Sequence, residues 1–132
     1  MKLEHIGIAV KDLEKSNELF GLLFNQTPYK IEAVESEGVR TSFFKTGDSK
    51  IELLEATKAD SSIAKFIEKK GEGIHHIAFE VENIEEEITR LMNEGFTLIN
   101  HVPKDGADNK QIAFLHPKST NGVLIELCQA KK

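Results

Sequence analysis

A chain of 132 residues with 39% hydrophobic content can bury one core, and 22 acidic against 17 basic residues leave a formal charge of −5 without a basic block. Those values argue against a nucleic-acid partner, and no apolar run approaches the roughly 20 residues of a membrane span. The single cysteine, Cys128, allows no internal disulfide, and the N-terminus enters a strand-like pattern without a charged leader, so the expected setting is the reducing cytoplasm.

Leu3-Glu4-His5-Ile6-Gly7-Ile8-Ala9-Val10 reads as a strand, and it returns 71 residues later as Ile74-His75-His76-Ile77-Ala78-Phe79-Glu80-Val81. A repeat of this kind means that one folding unit occurs twice. Asp12 opens a helix over LEKSNELFGLLF, with Leu13, Leu19, Phe20 and Leu23 as its apolar positions. Between this helix and the last strand, each half offers two shorter β-like runs, with Val39 to Lys45 following Glu37-Gly38. Lys50 to Ala56 closes the first half. Asp60-Ser61-Ser62 then starts a short amphipathic helix, IAKFIEKK, which Gly71 and Gly73 stop.

The second half repeats the order. Asn83 starts a helix over IEEEITRLMNEGF, has capping-box spacing to Glu86, and is followed by Ile84, Ile88, Leu91 and Met92 as the apolar positions. Gln111 to Leu115 follows a turn rich in Gly and Asn, and Leu124 to Ala130 closes the half, 74 residues after its counterpart. The expected fold is α+β: tandem βαβββ modules forming a curved mixed sheet around a metal-binding cleft. It is one domain over 1–132, with module one at about 1–58, a linker helix at about 60–71 and module two at about 72–132.

Side chains alternate along a strand. His5, Gly7 and Ala9 therefore share a face opposite Ile6, Ile8 and Val10, and His76, Ala78 and Glu80 oppose Ile77, Phe79 and Val81. The same alternation separates Glu52 from Ile51 and Leu53, and Glu126 from Ile125 and Leu127. The aliphatic faces should pack under the helices, which leaves His5, Glu52, His76 and Glu126 at equivalent places on the other face. Two imidazoles with two carboxylates suit one divalent ion of the Co, Mn, Ni, Zn or Fe type. A single His or Glu on a strand is more often an edge residue, but core packing does not call for the same pair twice.

EHIGIAVKDLE at 4–14, DSSIAKFIEKKGEGIHHIAFEV at 60–81 and IAFLHPKSTNGVLIEL at 112–127 resemble the methylmalonyl-CoA epimerase family of the vicinal oxygen chelate superfamily, over nearly the whole chain. The resemblance implies epimerisation of an acyl-CoA, methylmalonyl-CoA, at C2 through a metal-stabilised enolate. It puts His5, residue 52, His76 and Glu126 at the metal, Glu126 and Glu52 in proton transfer, and two chains in a homodimer. Some members carry Gln at the first-module ligand position and a further Glu where this chain has Thr41; here Glu52 replaces that Gln. Two other readings remain, a glyoxalase I-like isomerase using the same ligand types and a noncatalytic small-molecule-binding module.

His75 points away from His76 in an extended strand and reads as a surface or supporting group, and His101 sits in a polar loop. His116-Pro117-Lys118-Ser119 reads equally as a plain connection before the Asn121-Gly122 turn or as a place where Lys118, with His116, meets negative charge on the substrate. Cys128 lies on the ligand face yet reads as a small buried hydrophobe.

Overall fold

The computed structural model describes residues 1–131. They fall into two compact units, His5–His75 and Met1–Glu4 with the chain from His76 onward.

In the first unit the sheet order is β2 (Lys30–Val34), β3 (Val39–Thr46), β4 (Ser49–Ala56) and β1 (Lys2–Ala9), with β1 parallel to β4 and the other neighbours antiparallel. Helix α1 (Leu13–Phe24) begins where Asp12 accepts a hydrogen bond from the Lys15 N–H at 3.1 Å. It ends where Asn25 turns left-handed and the Gln26 N–H reaches back to the Gly21 carbonyl at 3.0 Å. Any side chain at Gly21 would meet that turn, since a Cβ would lie 2.8 Å from the Gln26 oxygen.

The apolar face of α1 differs from the expected one. Leu13 is buried and Phe20 and Phe24 pack with it against Val10, Phe44 and Leu53, whereas Leu19 is 64% exposed and Leu23 70% exposed. Aromatic packing selects the inward face: Phe24 lies 5.9 Å from Phe20 and 5.5 Å from Phe44, ring centre to ring centre. Bulky rings bury more area than leucines and decide the rotation of the helix.

Helix α2 (Ser62–Lys70) is capped by Ser61, whose hydroxyl accepts from the Ala64 N–H at 3.1 Å, and stops at Gly71, where φ is 78°. Its Ile63, Phe66 and Ile67 cover Ala9, Val39 and Leu54. The linker helix therefore packs on the face of the sheet that carries Glu52, since Leu54 follows Glu52 by two residues on β4.

The second unit has the same order, β6 (Lys104–Asp105), β7 (Lys110–Leu115), β8 (Ile125–Ala130) and β5 (Gly73–Glu80), with β5 parallel to β8. Helix α3 (Ile84–Asn93) starts at Asn83, which accepts from the Glu86 N–H at 3.1 Å. Ile84, Ile88 and Leu91 turn inward onto Val81, Ala113, Leu115 and Leu127. Met92, expected on that face, is 45% exposed. Burying a side chain such as Leu127 or Ile84 contributes about 1.5–3 kcal/mol.

The two units agree beyond topology. The N–H of Leu13 donates to Glu55 Oε2 at 2.8 Å, and the N–H of Ile84 donates to Gln129 Oε1 at 2.8 Å. Each helix thus takes its first free N–H to a side chain at the end of the last strand of its own unit. The N–H of Val10 donates to the Leu54 carbonyl just as the N–H of Val81 donates to that of Cys128, both at 2.9 Å. Among the described residues no helix is long and apolar enough to cross a membrane.

Candidate metal centre

In the first unit β1 and β4 set His5 Nδ1 3.0 Å from Glu52 Oε2, with each residue 5% exposed. Gly7 stands beside Glu52 on β1 and Phe43 beside it on β3. The glycine leaves room next to the carboxylate, and the phenylalanine gives it an apolar wall. The second unit repeats this pattern: His76 Nε2 lies 3.4 Å from Glu126 Oε1, with 5% and 6% of the two residues exposed. Ala78 and Phe114 flank Glu126 on β5 and β7, and the Phe114 ring meets His76 edge-on at 5.8 Å.

Burying a carboxylate costs several kcal/mol unless a positive partner or hydrogen bonds offset it. The same cost is met twice, at equivalent places, by an imidazole. Ligand atoms about 2.1 Å from one ion lie about 3.0 Å apart at a right angle and about 3.4 Å apart at the tetrahedral angle. The spacings of 3.0 Å and 3.4 Å in the two pairs fit an ion equally well, and the mixed nitrogen and oxygen donors suit a divalent transition ion rather than calcium.

The remaining sequence candidates fall elsewhere. His75 is half-buried with its ring edge-on to Phe66 at 5.0 Å, and burial pushes its pKa down to about 4, so the imidazole is neutral. His101 is exposed. His116 caps the 3-10 turn at Pro117–Ser119, its Nδ1 accepting from the Lys118 N–H at 3.0 Å, and the Lys118 side chain is exposed. Asn121 and Gly122 both have positive φ, 55° and 86°, as the tight turn requires. Cys128 is fully buried, and its thiol pKa is pushed far up, first by desolvation and next by the nearby Glu126 charge.

The sequence reading passed over two groups. Glu4, 8% exposed, lies 3.9 Å from the Lys110 ammonium, a pairing that alternation along β1 does not signal. Asp12, Glu14 and Glu55 also gather, but Arg40 bonds both Glu14 and Glu55, and the other two roles are helix caps. That cluster is structural.

Residues 4–114 match the Glyoxalase/Bleomycin resistance protein/Dioxygenase superfamily. The chain belongs to that superfamily. Within the superfamily it is 40% identical to the ethylmalonyl-CoA/methylmalonyl-CoA epimerase of Cereibacter sphaeroides, over 97% of each chain. A solved hypothetical protein from Bacillus halodurans is 46% identical with a TM-score of 0.96, covering 99% of this chain and 95% of that one. A single-substitution variant of Streptomyces coelicolor methylmalonyl-CoA epimerase, in complex with 2-nitronate-propionyl-CoA, is 34% identical with a TM-score of 0.94, covering 98% and 94%. With full-length similarity to epimerases, the chain is an epimerase-like isomerase of this superfamily, which sets aside the noncatalytic module.

Proposed function

We propose that the protein interconverts the two C2 epimers of methylmalonyl-CoA, and that His5, Glu52, His76 and Glu126 together hold one divalent ion. The observation that carries this reading is the buried His–Glu pair found at the same place in both units. The epimerase relatives support the substrate. When bound, the ion supplies Lewis-acid stabilisation of negative charge developing on a substrate oxygen, worth several kcal/mol.

The protein's own groups handle the proton. A carbon beside a thioester loses its proton to a carboxylate, and the electron pair left behind delocalises onto the carbonyl oxygen as an enolate. Return of a proton to the opposite face inverts the centre, so an acid-base group is needed on each side. Glu126 is one such group in this reading, and Glu52 combines ligation with a share in proton transfer. Phe43 and Phe114 beside the two carboxylates exclude water and strengthen every charge interaction there. Lys118, exposed within the 3-10 turn, would meet the anionic part of the CoA.

The reading also places the protein in the cytoplasm, where a lone buried thiol stays reduced, and makes it a homodimer, for which Leu19, Leu22 and Leu23 on α1 offer an exposed apolar face. Sedimentation tests the dimer. The enzymatic test is direct: purified protein should bind one divalent ion per chain and carry solvent deuterium into C2 of methylmalonyl-CoA during turnover. Full activity in metal-free protein would sink the metal, and turnover of a hemithioacetal in place of the CoA ester would select the glyoxalase-like reading.

A further inference from the structure

A groove of about 330 Å³ runs along one edge of α2 and lies wholly within the first unit, between the helix and His75. Its wall is aromatic: the His75 ring stands edge-on to Phe66 at 5.0 Å, and the Lys70 ammonium lies over the Phe66 ring at 5.8 Å. Lys65 and Lys69 complete the rim, and Glu68 is the one acid among the lining residues. All three lysines are exposed.

Helix stability does not explain this set. Lysines in the last turn suit the dipole of a helix C-terminus, which accounts for Lys69 and Lys70. Lys65 stands a turn earlier, and at four residues from Lys69 it puts two like charges side by side, which weakens a helix. In a chain of net charge −5, three lysines around one groove mark a place for an anion. The groove also reaches the ligand face. Phe66 packs against Ala9, Val39 and Leu54, so the aromatic wall touches the side of β1 and β4 that carries His5 and Glu52. Leu54 and Glu52 are two residues, about 7 Å, apart along β4.

We propose that the α2 groove seats the nucleotide end of the acyl-CoA, with phosphate oxygens between Lys65 and Lys69 and the base against the Phe66 and His75 rings. The epimerase reading supplies the substrate on which this rests. A phosphate between two ammonium groups removes their repulsion, and aromatic side chains hold a base by stacking. The flexible pantetheine arm then runs from α2 toward Glu52 along the face that both share. Coenzyme A carries phosphate on its ribose as well as in its diphosphate bridge, so this site adds to the contact drawn for Lys118. Its contribution is to affinity, because substrate and transition state share the same nucleotide.

Calorimetry with coenzyme A on the metal-loaded protein tests the site apart from catalysis. Lys65→Ala and Lys69→Ala should each weaken binding about tenfold, the loss of one charge-assisted contact. His75→Ala should weaken it about fivefold, for the loss of a stacking ring. Lys15→Ala, the same change of charge at an exposed position on α1, should bind as the parent does. In turnover the two groove-lysine variants should raise KM for methylmalonyl-CoA about tenfold and leave kcat within about twofold. With methylmalonyl-pantetheine, which lacks the nucleotide, parent and variants should be alike. Groove variants that bind coenzyme A like the parent, or that lose as much on the pantetheine ester, overturn this proposal alone, as does an equal loss in Lys15→Ala. A parent that binds coenzyme A through these lysines without epimerising overturns the epimerase reading and leaves the site standing; a parent that binds no coenzyme A overturns both.

Discussion

His5 and Glu52 bring a ring nitrogen and a carboxylate oxygen to 3.0 Å while each is 5% exposed. A divalent ion binds the deprotonated ring nitrogen and carboxylate oxygen, so protons compete with it for both atoms. Metal affinity should therefore fall as pH drops. His5→Ala and His76→Ala should lose stoichiometric cobalt or manganese in elemental analysis, whereas His75→Ala and His101→Ala should keep it. Equal loss in all four would show the ligand face to be misassigned.

Glu→Gln preserves size and an oxygen able to bind metal while removing basicity. Glu126→Gln should retain part of its metal and lose epimerisation by about 100- to 10,000-fold. Glu52→Gln distinguishes two roles. If Glu52 only binds the ion, the variant stays substantially active; if it shares in proton transfer, turnover falls while metal content holds. Metal content measured beside kcat separates these outcomes.

The doubled contact at the helix starts has its own energetic signature. Gln129→Ala removes the acceptor of the Ile84 N–H, and Glu55→Ala removes that of Leu13 together with an Arg40 partner. Each should lower unfolding free energy by about 0.5–2 kcal/mol, the range for loss of a helix cap, with Glu55→Ala the larger. Urea denaturation of the two variants measures it.

Burial lowers the His75 pKa from 6.5 to about 4. The unfolded chain then binds more protons than the folded one between those values, so stability declines as pH falls from 6.5 toward 4 and is unaffected by this group above pH 7. His75→Gln should flatten that decline in urea midpoints measured from pH 7.5 to 5. An unchanged slope would mean that other groups control acid unfolding.

The Cys128 thiol, buried and with its pKa pushed up by desolvation, should resist aromatic disulfide reagents at pH 8 in the native protein and react fully in guanidinium. Rapid native modification would contradict its burial.

Strand alternation and the internal repeat were enough to place His5, Glu52, His76 and Glu126 on buried faces, because both are periodic and local. The rotation of α1 was not legible, since Leu19, Phe20, Leu23 and Phe24 wrap much of the helix, and only the position of Phe44 chooses among them. Glu4 was equally hidden: Lys110, which pairs with it, is remote in sequence. Thr41 could be noted as a departure from some members of the family, but its full burial and its place opposite Glu32 depend on how β2 and β3 pair. Short runs such as Lys30–Val34 and Lys104–Asp105 carry too few residues for a periodic signal.

An epimerase faces an unusual demand, since its substrate and product are mirror images at the reacting carbon. A duplicated unit answers half of that demand by presenting one arrangement of groups twice: Gly7, Phe43 and Glu52 in the first copy, Ala78, Phe114 and Glu126 in the second. The copies diverge one position further along, where Thr41 and Leu54 are matched by Ile112 and Cys128. If the copies serve opposite faces of the carbon, exchanging these residues between them should change kcat and KM in each direction, while the ratio of the two kcat/KM values stays fixed by the equilibrium constant.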